Sequence, residues 1–262
     1  MNIRAVFIDM DGTLLNKDNK ISKRNYEAIQ LLLKQDIEVF LATGRQMDIT
    51  FPYHQELGLK TPMICLNGAA VYDWFTLDPL LIRSVKVDQH LLYNLTSTEP
   101  FNVIMHTPEG MYCKKMDSTV ERWVEESRKN PVYVGDLKYV KPENVMKYSV
   151  ISGISGAPFA HYFEKNGEVI RWRDGFEIVQ KGVSKWSAIE YLLNKYNIRK
   201  EEAAAIGHGP NDIQMLKAAG TGIAMGNASK EIKKAADFVT LKQEEDGLAD
   251  FIEKHLIKSI IA

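Results

Sequence analysis

Short apolar runs alternate with amphipathic stretches through the first part of the chain. Ala5-Val6-Phe7-Ile8 is a continuous apolar run, the pattern of a strand buried on both faces of a parallel sheet. Ser22 is placed to cap a helix that carries Tyr26, Ile29 and Leu33 on one face. Ile37 to Ala42 reads as a second buried strand. A helical stretch follows Gly44 as far as Leu57-Gly58, distorted at Pro52. Pro62 leads into a third strand, Met63 to Leu66. Asn67-Gly68 then predicts a turn, and Ala69 to Tyr72 a returning hairpin arm.

From Ile82 to Gly182 the texture changes. Asn102–His106 and Met111–Lys114 flank Pro108-Glu109-Gly110, and Val169–Arg173 and Phe176–Gln180 flank Asp174-Gly175, so extended segments come as hairpins. Ser118 with Glu121 three residues on predicts a capping box for a helix ending near Lys129, and Ala157 to Lys165 predicts another helix. Mixed antiparallel strands and helices read as α+β.

The end of the chain returns to the first pattern. Ser184 caps a helix with Trp186, Ile189, Leu193 and Tyr196 on one face. Ala203–Gly207, Gly222–Met225 and Phe238–Leu241 read as strands. Asn211–Ala219, Ser229–Ala235 and Leu248–Ile257 read as helices. The fold expected is α/β: a doubly wound, mostly parallel, Rossmann-like core sheet built from residues 1–81 and 183–262, with an α+β unit over 82–182 inserted into it.

Charge and composition narrow the function. The 262 residues hold 33 Lys plus Arg and 34 Asp plus Glu, for a net charge of −1, which argues against a nucleic-acid coat protein. Cys65 and Cys113 lie singly in apolar runs, too few for a disulfide framework and wrongly placed for a thiolate metal site. No stretch approaches the ~18 apolar residues of a membrane span. The N-terminal apolar run is short and ends on Asp9, unlike a secretory signal, so a cytoplasmic location is expected. Neither nucleic acid nor membrane is an expected partner, and oligomeric state is not legible.

In open α/β sheets, ligands bind beyond the carboxyl ends of the strands. Five predicted strand ends carry Asp9-Met10-Asp11-Gly12-Thr13, Thr43-Gly44-Arg45, Asn67-Gly68, His208-Gly209-Pro210-Asn211-Asp212 and Gly226-Asn227. Asp9 and Asp11 at i and i+2 face the same side of a strand end. Two such carboxylates repel unless a cation or a shared proton holds them. A carboxylate beside a hard cation such as Mg2+ can attack phosphorus, and a second carboxyl can protonate the leaving group and then activate water. Thr43-Gly44 at a helix start makes a phosphate cradle. Lys185, one residue inside its helix, reads in isolation as a solvated surface lysine. Asn211 and Asp212 read in isolation as the cap of the next helix.

Taken together, these segments resemble the haloacid dehalogenase superfamily, within it the Cof-like phosphatases. Four signatures stand in order: Asp9–Thr13, Ala42–Arg45, Gly182–Lys185 and Gly207–Leu216, with further similar segments at Asn67–Ala69 and Ala224–Ala228. The resemblance implies a metal-dependent phosphatase that hydrolyses small phosphorylated metabolites, sugar phosphates or similar, through an aspartyl-phosphate. It implies Asp9 as nucleophile and metal ligand, and Asp11 as general acid/base that gives the metal its carbonyl. The Met10 backbone, Thr43, Gly44, Lys185 and Asn211 would hold the phosphoryl group, and Asp212 would bind Mg2+ or orient Lys185. The inserted unit would be a mobile cap that chooses the substrate, with His106, His161, Arg171, Trp172 and Arg173 as candidates to reach it.

One position departs from that pattern. Where the family reads Gly-Asp-Gly, this chain has Gly207-His208-Gly209. Imidazole suits Mg2+ poorly and Zn2+, Co2+ or Ni2+ well. His208 as a metal ligand would shift preference toward Mn2+, Co2+ or Ni2+; as a bystander it would leave the site slow. A weakly active or non-catalytic phosphate-ligand binder and a phosphomutase on the same scaffold are the competing readings.

Overall fold

The computed structural model describes residues 2–154 and 157–257. In chain order its elements are β1 (Ala5–Ile8), α1 (Lys23–Lys34), β2 (Glu38–Leu41), α2 (Met47–Glu56), β3 (Met63–Cys65), β4 (Ala70–Tyr72) and β5 (Pro79–Ile82). Then come α3 (Gln89–Leu95), β6 (Asn102–Thr107), β7 (Gly110–Cys113), α4 (Ser118–Ser127), β8 (Tyr133–Val134), β9 (Lys147–Ile151), β10 (Gly167–Trp172) and β11 (Gly175–Gln180). The chain closes with α5 (Lys185–Tyr196), β12 (Ala203–Gly207), α6 (Ile213–Ala218), β13 (Thr221–Ala224), α7 (Lys230–Ala235), β14 (Phe238–Val239) and α8 (Gly247–Phe251).

The core is a parallel sheet in the order β14-β13-β12-β1-β2. β1 pairs with the edge strand β2 on one side and with the central strand β12 on the other. Successive β1 side chains enter opposite layers, as a strand's period of two requires. Val6 and Ile8 pack with Ala28, Ile29 and Leu32 of α1 and Leu248 and Phe251 of α8. Ala5 and Phe7 pack with Ala188, Ile189 and Leu192 of α5 and Met215 and Leu216 of α6. Phe7 stacks on Phe40 with ring centroids 4.6 Å apart. A strand covered on both faces has no polar face to show, which explains its unbroken apolar run.

A six-stranded sheet, β10-β11-β9-β6-β7-β8, forms between β5 and α5 in the chain. It is antiparallel except for the β7–β8 pair. One face carries Val103, Met105, Tyr148, Val150, Phe176 and Ile178, packed with Leu92 and Tyr93 of α3. The intervening residues, among them His106, Lys147, Ser149 and Glu177, therefore belong to the other face. Register sets Ser149 opposite Glu177, and His106 opposite Lys147. This is the α/β architecture expected, with a separate antiparallel cap sheet.

Several local expectations are corrected. β3 is not an ordinary core strand: it meets the core through the Ala42–Ile64 bridge and pairs mainly with β4. Leu66, Asn67 and Gly68 all have positive φ, and the chain reverses there into the expected hairpin with β4. Asp117, not Ser118, caps α4, accepting from the N–H groups of Thr119 and Val120. The stretch after Ala157 makes only a 3-10 turn over Ala160–Phe163. Leu248–Ile257 divides into α8 and a π-helical turn over Ile252–Leu256. No helix among the described residues is long and apolar enough to cross a membrane.

Gly68 fixes how α5 meets the sheet. Its φ is +91°, and a Cβ there would lie 2.1 Å from the Ser184 carbonyl oxygen at the start of α5. Gly68→Ala is expected to cost about 3 kcal/mol or more, from strain plus the displaced helix start. A urea melt checks this; an unchanged midpoint would show that α5 tolerates the shift.

Candidate active site

The ends of β1 and β12 and the start of α5 meet around one buried ammonium. Lys185 is 0 % exposed, so the expectation of a solvated surface lysine is corrected. Ser184 caps α5, accepting from Ser187 N–H, and this turns Lys185 inward on the first turn. The Lys185 Nζ donates to Asp9 Oδ1 at 2.6 Å and to Asp212 Oδ1 at 2.7 Å. Asp9 Oδ2 accepts from the Thr13 hydroxyl at 3.0 Å and lies 3.1 Å from His208 Nδ1. Asp212 Oδ2 accepts from the backbone N–H groups of His208 and Gly209 at 2.9 and 2.8 Å. Asp212 thus binds the loop before it, beyond any part in capping the helix that follows.

These contacts drive the two carboxylates apart. Burial would raise Asp9, but Lys185 and then His208 outweigh it and hold the carboxyl at about 2. Burial and the neighbouring Asp9 push Asp212 above the ordinary carboxylate range, against the pull of Lys185. Burial opposes the charge on Lys185, yet Asp212 and Asp9 together raise its pKa, so it stays an ammonium. Burial likewise opposes charge on His208, and the bond to Asp9 overcomes it. A carboxylate that stays ionised at neutral pH is available as a nucleophile.

Asp9, His208 and Asp212 bring three possible ligand atoms within 4.8 Å of one another. The set is mixed oxygen and nitrogen, which suits borderline divalent ions better than Mg2+. The His208 ring also sits against Gly12, where a Cβ would fall 2.6 Å from Nε2. Gly12 has φ +67° and leaves the space that imidazole fills.

The other sequence candidates fall around this centre. The Asp11 carboxylate lies outside the cluster, paired with Arg45 through Nε at 2.9 Å and Nη2 at 2.6 Å. Met10 turns its side chain into the core, and its carbonyl accepts from Thr13, Leu14 and Leu15. Thr43 is buried and its hydroxyl accepts from Arg45 N–H. The Asn211 amide donates to Asn67 Oδ1 at 2.9 Å. Gly44 and Asn211 line a cleft of about 310 Å³ with Asp9, Asp11 and His208.

The cap sheet closes that cleft, and here the sequence reading missed residues. Lys147 donates to the Gly44 carbonyl at 2.8 Å and to Glu177 at 2.5 Å. Glu177 accepts from the Asn67 amide at 2.8 Å. Arg45 joins Asp11 to Glu126 of α4 at 3.4 Å and to Asn19 at 3.1 Å. A period of two was present around Lys147, Ser149 and Glu177, but it does not tell which face looks toward the core. Of the cap candidates, His106 and Trp172 line the cleft. His161 is exposed and packs on Tyr162, Arg171 pairs with Glu164, and Arg173 is exposed; none of the three lines it.

Comparison with known proteins decides the family. The model of the haloacid dehalogenase-like hydrolases matches residues 6–252. The chain belongs to that family. It is 30% identical to a 5-amino-6-(5-phospho-D-ribitylamino)uracil phosphatase, YitU of Bacillus subtilis, over 95% of this chain and 96% of that one. It is 28% identical to the pyridoxal phosphate phosphatase YbhA of Escherichia coli, over 98% of this chain and all of that one. A solved haloacid dehalogenase-like hydrolase from Bacteroides thetaiotaomicron superposes with a TM-score of 0.80 at 28% identity, covering 96% of this chain and 98% of that one. This haloacid dehalogenase-like protein is a Cof-like phosphatase, a phosphoric monoester hydrolase.

Removing the central ammonium tests the arrangement. Lys185→Met leaves Asp9 and Asp212 buried together without their shared cation, a loss of about 3–5 kcal/mol. Calorimetry should show the lowered melting temperature, and added divalent cation should raise it more in the variant than in the parent. Equal responses to cation would mean that the two carboxylates do not share a cation site.

Proposed function

We propose that this phosphatase hydrolyses small phosphate monoesters, sugar phosphates or similar metabolites, through a covalent phosphoryl group on Asp9. The observation that carries this reading is the buried, ionised Asp9 carboxylate, held by Lys185 and His208 at the edge of a polar cleft. One Asp9 oxygen attacks phosphorus and the ester P–O bond breaks. Asp11 gives its proton to the leaving alkoxide, then takes one from water as that water attacks the phosphoryl group. The P–O bond to Asp9 breaks, freeing inorganic phosphate and restoring the carboxylate. For either role Asp11 must leave Arg45, so the arrangement described is a resting one.

Phosphoryl transfer needs positioning and positive charge more than covalent assistance. Lys185 supplies charge at Asp9, and Thr43, Gly44, the Met10 backbone and Asn211 are our candidates to hold the phosphoryl oxygens. A divalent cation held by Asp9, Asp212 and His208, with the Asp11 carbonyl as a further candidate ligand, would add Lewis-acid stabilisation of the phosphoryl charge. We assign residues 82–182 as the substrate-selecting cap and 1–81 with 183–262 as the catalytic core. A cleft of about 310 Å³ suits a metabolite-sized leaving group.

Asp9→Asn is expected to lower phosphate release by about a thousandfold or more. A phosphate-release assay over a panel of phosphorylated metabolites checks it, and retained turnover would overturn the covalent route. Activity should be higher with Mn2+, Co2+ or Ni2+ than with Mg2+. His208→Asp should move the ratio toward Mg2+ by about 10-fold, the scale on which one altered metal-site group acts. Visible absorption of the Co2+ form reports the nitrogen ligand directly, and an identical spectrum in His208→Asp would remove His208 from the metal.

A further inference from the structure

The cap face over the cleft contains a polar relay whose proton order can be read. Glu177 Oε1 accepts from the Lys147 ammonium at 2.5 Å and from the Ser149 hydroxyl at 3.3 Å. An ionised carboxylate only accepts, so the Ser149 proton points to Glu177. The Ser149 oxygen is then left to accept from His106 Nε2, 3.1 Å away. That assigns the Nε2–H tautomer to His106. Burial, and then the Lys147 charge, push the imidazole pKa well down, so the ring is neutral. Its Nδ1 is consequently a bare acceptor.

That atom is the one buried side-chain nitrogen or oxygen among the described residues without a hydrogen-bond partner. The His106 ring is 4 % exposed, lines the cleft shared with Asp9, and packs on Trp123 with centroids 5.5 Å apart. A buried, unsatisfied acceptor is costly, and native structures seldom keep one without a use. Lys147, Ser149 and Glu177 satisfy one another, and the relay orients a ring whose Nδ1 has no partner.

We infer that His106 Nδ1 selects substrates whose leaving group carries a hydrogen-bond donor, a hydroxyl or N–H, placed to reach the cap face while the phosphate sits at Asp9. This rests on the phosphatase reading above and adds a specificity residue to it. The substrate class is a hydroxylated or amino-bearing phosphate monoester rather than a plain alkyl or aryl one. Glu177 and Ser149 set the tautomer and act as positioning residues. An oxygen that only accepts would meet the Nδ1 lone pair and be rejected.

The test compares the best substrate of a phosphate-monoester panel with its single deoxy analogues, and with para-nitrophenyl phosphate as a donor-free control. In the parent protein, loss of one particular hydroxyl should lower kcat/KM about 10- to 100-fold. In His106→Phe, which keeps a flat ring, the true substrate should lose a similar factor, that deoxy analogue should lose little more, and the control should stay within about twofold. Equal losses on substrate and control, or a deoxy penalty that persists in the variant, would overturn the inference. If His106→Phe does not fold, Ser149→Ala frees the tautomer and should shrink the same deoxy penalty; an unchanged penalty counts against the relay. Absence of turnover on every ester, control included, would instead sink the phosphatase reading itself.

Discussion

The Lys185 ammonium is the interaction on which the rest of the site depends. It is fully buried and satisfied by carboxylates from two different strand ends. Neither carboxylate would be tolerable there alone, since each buried charge needs its partner. Asp9 comes from β1, Asp212 from the loop after β12, and Lys185 from the first turn of α5. The cation therefore fixes the relative position of three elements as well as the charge at Asp9, the proposed nucleophile. Gly68 and Ser184 serve the same end, one by clearing space for the start of α5 and the other by capping it.

Much of this was legible in the sequence, for identifiable reasons. β1 and β12 are short apolar runs because helices cover both sheet faces, and their ends announce themselves where Asp9 and His208 break the pattern. Ser22 and Ser184 each cap the helix they were expected to cap. Lys185 was misleading in isolation, because a helix's first turn does not reveal whether it looks to solvent or to a neighbouring strand. The Asn67-Gly68 turn and its returning arm were legible too, and only the weak tie of β3 to the core sheet, a single Ala42–Ile64 bridge, had no signal in the composition. Asp11 was expected beside Asp9, and the competing partner, Arg45, could be found only from the fold.

The cap shows a different limit. Its sheet alternates cleanly, yet alternation gives two faces without saying what lies against either. The polar face holds Lys147, Ser149 and His106, all nearly fully buried, an arrangement that makes poor sense for stability alone. Lys147 reaching the Gly44 carbonyl, Glu177 meeting Asn67, and Arg45 tying Asp11 to Glu126 make the cleft side of the boundary polar, while Met146 and Val179 pack on Met63, Leu66, Ala70 and Tyr72 in an apolar cluster beside it. The polar contacts on the cleft side can separate and rejoin at low cost, because water can replace each partner. Substrate entry and product exit past a cap need that property.

The inserted cap also has a consequence for how the molecule is made. Lys185 and Asp9 lie 176 positions apart, and β1 lacks its β12 neighbour until the chain has passed through the whole cap. At a synthesis rate of about 5–20 residues per second, the strand of Asp9 precedes Lys185 by roughly 10–35 s. During that interval Asp9 has neither of the partners that hold its charge, and one edge of β1 is unpaired. The antiparallel cap, built largely from neighbouring hairpins, can fold within the interval. The newborn chain would thus hold the inserted antiparallel sheet before the Asp9–Lys185 pair exists, and the parallel sheet would close around a unit already formed.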